Sequence, residues 1–335
     1  MNTQTRRQSL ALLGGGAFAL TAARANAATV PGTNPIITNV FTADPAPLVH
    51  DGRVYLYVGH DEAHGDQLFN MTEWLAYSSH DMKTWTPHGA IMKPTDFKWA
   101  VGDSWASQVT YANGKFYLYA AVEHDKSDKG KAVGVAVSDS PTGPFVDARG
   151  TALIANSTTP KGPHSWDDID PTVFTDTDGT TWLVWGNGNC YFAKLKPNMI
   201  ELDGEIGTFP LPDFVEGPWL HKRGNLYYLT YAGMDKEKRA ENIAYATSEA
   251  ITGPWTYRGL ITGTAENSFT IHPGIIEFKN QWYLFYHKAT LTINGEAGAT
   301  GRRCVCLDYM YYNPDGTIQP VTQTDAGVSL PPKTI

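Results

Sequence analysis

Cysteine is scarce: Cys190, Cys304 and Cys306 are the only three in 335 residues, too few and too unevenly placed for a disulfide framework. Cys304 and Cys306 stand two apart in a strand-like stretch, where Cβ atoms are too widely spaced for easy bridging, so all three read as packed thiols. Charge is also sparse, at 18% of residues. No long stretch carries the 3.6-residue apolar period, which excludes extensive helix. After the N-terminal segment no apolar run approaches the 18 or more residues of a spanning helix, so the mature chain is expected to be free of the membrane. Acidic residues are absent before Ala28, and that segment reads as an export leader over residues 1–27. Arg6-Arg7 precedes an apolar stretch from Ala11 to Ala22, and Ala25-Asn26-Ala27 follows as a small-x-small cleavage signature, the pattern of a twin-arginine signal peptide. The expected destination is the periplasm or the medium. Removing the leader takes away three arginines and leaves 23 basic against 34 acidic side chains, a net charge of −11. So acidic a chain is not expected to bind nucleic acid.

What the sequence does have is 40 aromatic residues together with 53 glycines and prolines, strand formers and turn formers in one chain. One phrase recurs five times, a turn followed by an alternating aromatic and aliphatic run. Asp51-Gly52 precedes Tyr55-Leu56-Tyr57, and Asn113-Gly114 precedes Tyr117-Leu118-Tyr119. Asp178-Gly179, Arg223-Gly224 and Lys279-Asn280 stand in the same way before residues 182–184, 227–229 and 283–285. Each opens as a β-hairpin does. The turns are 62, 65, 45 and 56 residues apart, room for about four short strands and their loops. A second phrase, Ser78 to Trp85, Ser138 to Phe145 and Ser248 to Trp255, has the look of an outer hairpin turn closed by an aromatic residue. The pattern predicts an all-β, five-bladed β-propeller over residues 28–335, with the segment from Tyr309 to Gln323 pairing back to close the ring.

In a propeller the innermost strand of each blade faces the central channel, so equal offsets from the repeated turn mark one ring. Eight residues before the turn, or nine in the third unit, stand Asp44, Ala106, Asp170, Glu216 and His272. The acids are flanked by apolar residues and proline: Ala43-Asp44-Pro45, Ile169-Asp170-Pro171, Val215-Glu216-Gly217-Pro218. Carboxylates gathered in such a place cannot all ionise easily, and at least one must hold its proton upward of the usual range, as an acid and a base sharing one pH require.

At these residues the sequence resembles glycoside hydrolase family 43, over roughly residues 34 to 325. The resemblance is carried by Ala43-Asp44-Pro45, Asp168-Ile169-Asp170-Pro171, Glu216-Gly217-Pro218-Trp219, His272-Pro273-Gly274 and the run from Arg302 to Asp308. Within the family it points to the β-xylosidase and α-L-arabinofuranosidase branch. It implies an exo-acting, inverting glycosidase releasing xylose or arabinose from xylan-derived oligosaccharides. Asp44 is then the general base, Glu216 the general acid, and Asp170 the residue that orients the acid and raises its pKa. His272 is implied to contact the sugar directly or through a calcium-centred water cluster, so that no cofactor is required and calcium is possible. Arg303, or its neighbour Arg302, is implied to touch substrate. Sugar faces stack on aromatic rings, and Trp105, beside Ala106, is the favoured wall of the first subsite, ahead of Trp74, Trp99, Trp166 and Phe41. The competing readings are an endo-arabinanase of the same family, a non-catalytic sugar-binding propeller, and a retaining fructosidase; the Asn-Asp-Pro pattern of the last is absent, Ala43 standing before Asp44.

Overall fold

The repeated turns each join two antiparallel strands. In the computed structural model, which describes residues 30–159, 162 and 164–334, the first unit pairs Phe41–His50, Arg53–Asp61, Met71–Ser79 and Thr86–Met92 in that order. The leader expected over residues 1–27 lies outside the described residues. The second sheet is built on Ser107–Ala112, Lys115–His124, Lys131–Ser138 and Val146–Asp147, with Ala100–Gly102 extending its inner edge. The third holds Thr172–Thr175, Thr181–Trp185, Cys190–Leu195 and Leu202–Phe209, and the fourth Phe214–Arg223, Leu226–Asp235, Ala240–Ser248 and Thr256–Thr262. The fifth has three strands, Gly274–Phe278, Gln281–Lys288 and Cys304–Met310. The molecule is a five-bladed β-propeller. Helix among the described residues is confined to two short 3-10 turns, Pro94–Asp96 and Lys126–Asp128.

The local chemistry explains the hairpins. Asp51 and Gly52, Asn113 and Gly114, and Lys279 and Asn280 all have positive φ, the backbone of a two-residue type I′ turn, which matches the twist of paired strands. The third blade has a five-residue connection between Thr175 and Thr181 instead, which is why its ring residue stands one position further from the turn. The second phrase falls between the third and fourth strands of blades one, two and four, as expected.

The aromatic and aliphatic runs on the second strands pack between neighbouring blades. Tyr119, Val133, Leu183 and Trp185 form one such layer, Val54, Leu56, Phe285 and Leu307 another, all fully buried. Each large side chain so buried contributes about 1.5–3 kcal/mol. The three cysteines are buried and free.

Closure departs in part from expectation. The tail does turn back at Asn313–Thr317, but it seats on the fourth blade, where Val321 N–H donates to Ile261 O at 2.7 Å. The open edge of blade five is taken by residues that precede blade one and by the start of its first strand: Ile36 N–H donates to Val305 O at 3.0 Å, and Thr42 N–H to Arg303 O at 2.9 Å. A three-stranded last blade needs a partner, and the chain just ahead of Phe41 is the segment whose position beside it is already fixed.

Candidate active site

All five equal-offset residues, Asp44, Ala106, Asp170, Glu216 and His272, line a single pocket with about 310 Å³ of empty space, together with Phe69, Trp105, Thr270 and Arg303. Asp44 and Glu216 lie within inner strands, and Asp170 and His272 two residues before theirs. Local backbone geometry aims them. Asp44 and Asp170 both take a left-handed φ, 54° and 57°, just before proline, a conformation costing a non-glycine residue on the order of 1–3 kcal/mol and found chiefly where surroundings enforce it. In blade four Gly217 adopts that conformation, at φ 59°, and leaves Glu216 beside it free of the cost. Ladder register slips around Asp44 and Glu216, so each side chain is lifted out of the sheet alternation.

His272 stands at the centre. Its Nδ1 is 3.2 Å from Asp44 Oδ1, and its Nε2 is 2.8 Å from Glu216 Oε1 and 3.6 Å from Asp170 Oδ2. Burial alone would lower its pKa, but the three carboxylates prevail and raise it to about 10, so the ring is a cation at neutral pH. Burial first, and then the charges of Glu216 and Asp44, push Asp170 up to about 8 against the pull of His272. Gly217 N–H donates to Asp170 Oδ2 at 2.9 Å and fixes its direction. Burial works to raise Glu216 as well, but the hydrogen bond and charge of His272, with Asn187 Nδ2 donating at 2.7 Å, hold it below the usual carboxyl range. The cluster therefore keeps one proton on Asp170 and a charge on Glu216.

Of the two adjacent arginines, Arg303 is the one that lines the pocket. Its side chain is buried, with Nε and one terminal nitrogen on the two oxygens of Asp61, 2.9 and 3.0 Å away, and the other terminal nitrogen on Asp44 at 3.0 Å. Arg302 points elsewhere, to the carbonyls of Ala297 and Gly65 at 2.7 and 2.8 Å, tying the loop that leads to Phe69 onto the hairpin of Thr292–Ile293 and Glu296–Ala297. Trp105 forms part of the pocket wall, edge-on to Phe69, and the ammonium of Lys131 lies 3.8 Å from the centre of its ring. Trp74 and Trp99 do not reach the pocket; both are buried in the packing between blades. Asp168 is fully buried under the loop before Asp170, where it accepts from Trp185 Nε1 at 2.9 Å and burial pushes it up to about 6.

Four further residues of the site, Asp61, Asn187, His287 and Glu241, escape the sequence reading. His287 is fully buried, and burial, then Arg303 and His272, keep it neutral; Asp44 N–H donates to its Nδ1 at 3.3 Å, and its Nε2 faces the Thr270 hydroxyl at 3.2 Å. Glu241 accepts from Ile271 N–H at 3.0 Å behind His272, and burial raises its carboxyl well above the usual range. A signal for three of the four exists. Counting forward nine, eight and seven residues from turns 52, 179 and 280 lands on Asp61, Asn187 and His287, because an antiparallel hairpin sets the end of its second strand beside the start of its first.

Comparison with known proteins finds glycosidases. An arabinoxylan arabinofuranohydrolase of Bacillus subtilis is 32% identical over 89% of this chain, and a xylosidase/arabinosidase of Bacteroides ovatus is 29% identical over 84% of it. The chain spans 65% of the length of the first and 95% of the second. Among solved structures, a β-xylosidase/α-arabinofuranosidase from a compost metagenome, in complex with xylotriose, superposes with a TM-score of 0.75 at 28% identity, covering 88% of this chain and 98% of that one. The model of the family described as glycosyl hydrolases family 43 matches residues 32–318, and the chain belongs to that family.

Proposed function

We propose that this protein is an exported, exo-acting glycosidase that releases xylose or arabinose from xylan-derived oligosaccharides with inversion of configuration. The observation that carries it is one imidazole touching two carboxylates. His272 contacts Asp44 on one nitrogen and Glu216 on the other, so the two oxygens lie either side of the ring and at most about 8 Å apart, a span with room for the roughly 6.5–9.5 Å of an inverting pair. The pocket is compact, with Phe69, Trp105 and Arg303 gathered around the four titratable ring residues, which suits one sugar ring at a chain end better than the middle of a polymer. The relatives whose names pair xylosidase with arabinosidase support the two glycones.

In this reading the sugar lies in the pocket with Trp105 and Phe69 against its apolar face. Water bound to Asp44 attacks the anomeric carbon, its proton passing to Asp44, while the bond to the leaving oxygen breaks and that oxygen takes a proton from Glu216. Glu216 must first hold that proton. Insertion of the leaving oxygen between Glu216 and His272 removes the contact that keeps Glu216 charged, and the proton of the Asp170–Glu216 pair passes to Glu216. Arg303 acts through Asp44, which it holds in position.

As they stand the residues do not fit calcium. The donor atoms of Asp170, Glu216 and His272 lie within 4.8 Å of one another, but they bring at most four carboxylate oxygens and one nitrogen, whereas calcium asks for six to eight oxygens. Equal rates with calcium and with chelator are the expected result, and a severalfold loss on chelation would contradict it. Export through the leader is checked by the mass of the mature protein. The mechanism is tested by proton NMR of the first sugar formed from 4-nitrophenyl β-D-xyloside and α-L-arabinofuranoside. Inverted product from either supports the proposal, and retained product refutes the base role of Asp44.

A further inference from the structure

Beyond the pocket, the acid's side of the rim carries an aromatic residue with no structural task. Trp166 is 47% exposed, and no other tryptophan among the described residues is exposed to a comparable degree. Its indole lies flat on His164, ring centres 4.0 Å and planes 13° apart, which leaves the opposite face to solvent.

Its position is triangulated by its two neighbours. Ser165 O accepts from Lys131 N–H at 2.7 Å, and the ammonium of Lys131 lies against Trp105 in the pocket wall. Asp167 O accepts from Asn187 N–H at 2.9 Å, and the Asn187 side chain holds Glu216. The segment therefore runs along the rim from the sugar-facing wall to the acid, and Trp166 stands on the order of 10 Å from Glu216. The leaving sugar departs on the side of the residue that protonates it.

We propose that Trp166 is the platform on which the departing sugar unit of an oligosaccharide stacks, the first leaving-group subsite. This rests on the glycosidase reading above. A flat ring, backed by a second ring and open on one face, suits the apolar face of a pyranose and loses little conformational freedom on binding it. The other exposed aromatic near the pocket, Phe269, is on the opposite rim: it meets Phe69 at 6.0 Å and precedes Thr270, which contacts Arg303 and His287, the groups that hold Asp44. That is the side of the attacking water, where no leaving sugar lies.

The test compares substrates with and without something to stack. Trp166→Ala, Trp166→Phe and Phe269→Ala are assayed on xylobiose and on β-D-xylosyl fluoride, or on the arabinofuranosyl counterparts if that glycone is preferred. Trp166→Ala should raise KM for the disaccharide about tenfold, the loss expected of one aromatic contact, and leave kcat/KM for the fluoride within about twofold. Trp166→Phe should recover most of the loss, and Phe269→Ala should show no such split. Equal losses on both substrates would mean that Trp166 only shapes the loop leading to Asp170, and would overturn the proposal, as would an unchanged KM for the disaccharide. A wild-type enzyme inert towards both substrates would overturn the glycosidase reading itself.

Discussion

The two sides of the pocket are built to opposite specifications. Asp44, its side chain 5% exposed, is gripped by the guanidinium of Arg303, which is itself forked onto Asp61, while its backbone N–H is fixed by a neutral His287. Glu216, 14% exposed, is held among the described residues by Asn187 and by the cationic ring of His272, and shares its proton with Asp170. In the proposed mechanism Asp44, as base, needs a fixed aim, and the groups that grip it supply one. Glu216, as the proposed acid, must gain and lose a proton each turnover and is left with partners a substrate can displace.

The harshest challenge to this contrast is Asp44→Asn, which keeps the shape and removes the base. Turnover should fall by about 10⁴, the upper end of general-base contributions, while KM changes little; a variant with wild-type kcat would end the assignment. Next comes Glu216→Ala, expected to cost roughly 10²–10³ in kcat on xylobiose and less than about tenfold on a dinitrophenyl glycoside, whose leaving group needs no proton. Equal losses on the two would move the acid elsewhere. Asp61→Asn attacks the fixed side at one remove: Arg303 keeps its place but loses the charge that opposes it, so kcat should drop by about tenfold and the thermal midpoint should fall by several degrees, as for a buried pair left half paired. An unchanged midpoint would show that Asp44 alone satisfies the guanidinium.

The smallest effect sharpens the contrast most. Because the reaction needs one proton on the Asp170–Glu216 pair, and Asp170 is raised to about 8, the rate should decline as pH rises through about 8. Asn187→Ala removes a donor that favours ionised Glu216, so that acid should keep its proton to higher pH. The alkaline limb of kcat should then move upward with only a few-fold loss at the optimum, and a limb that moves downward would contradict the role of Asn187.

Much of this arrangement was legible in the sequence. Five similar phrases were enough for the blades, and counting back from their turns reached the pocket residues, because a short turn fixes the register of the strand before it, with one residue added for the longer connection of blade three. The same count run forward would have reached Asp61, Asn187 and His287, whose side chains carry no acid-flanked-by-proline context to draw the eye. The choice between Arg302 and Arg303 was hidden, since both stand just ahead of the strand Cys304–Met310, where no period sets which way each side chain faces. Hidden for another reason was the seal of the ring, because the segment from Asn34 to Val40 carries no repeat of its own and earns its place only by lying beside the last blade.

That seal joins residues very far apart along the chain. Asn34 Nδ2 donates to Leu307 O at 3.1 Å and to Thr324 O at 2.7 Å, across sequence separations of 273 and 290. Contacts of such range are entropically the most expensive to close and are made late in folding, so the chain must be finished before its first strand can be secured. The amide of Leu307, which donates to Asn34 Oδ1 at 2.8 Å, should therefore be among the last in the molecule to gain protection in a pulsed hydrogen-exchange experiment.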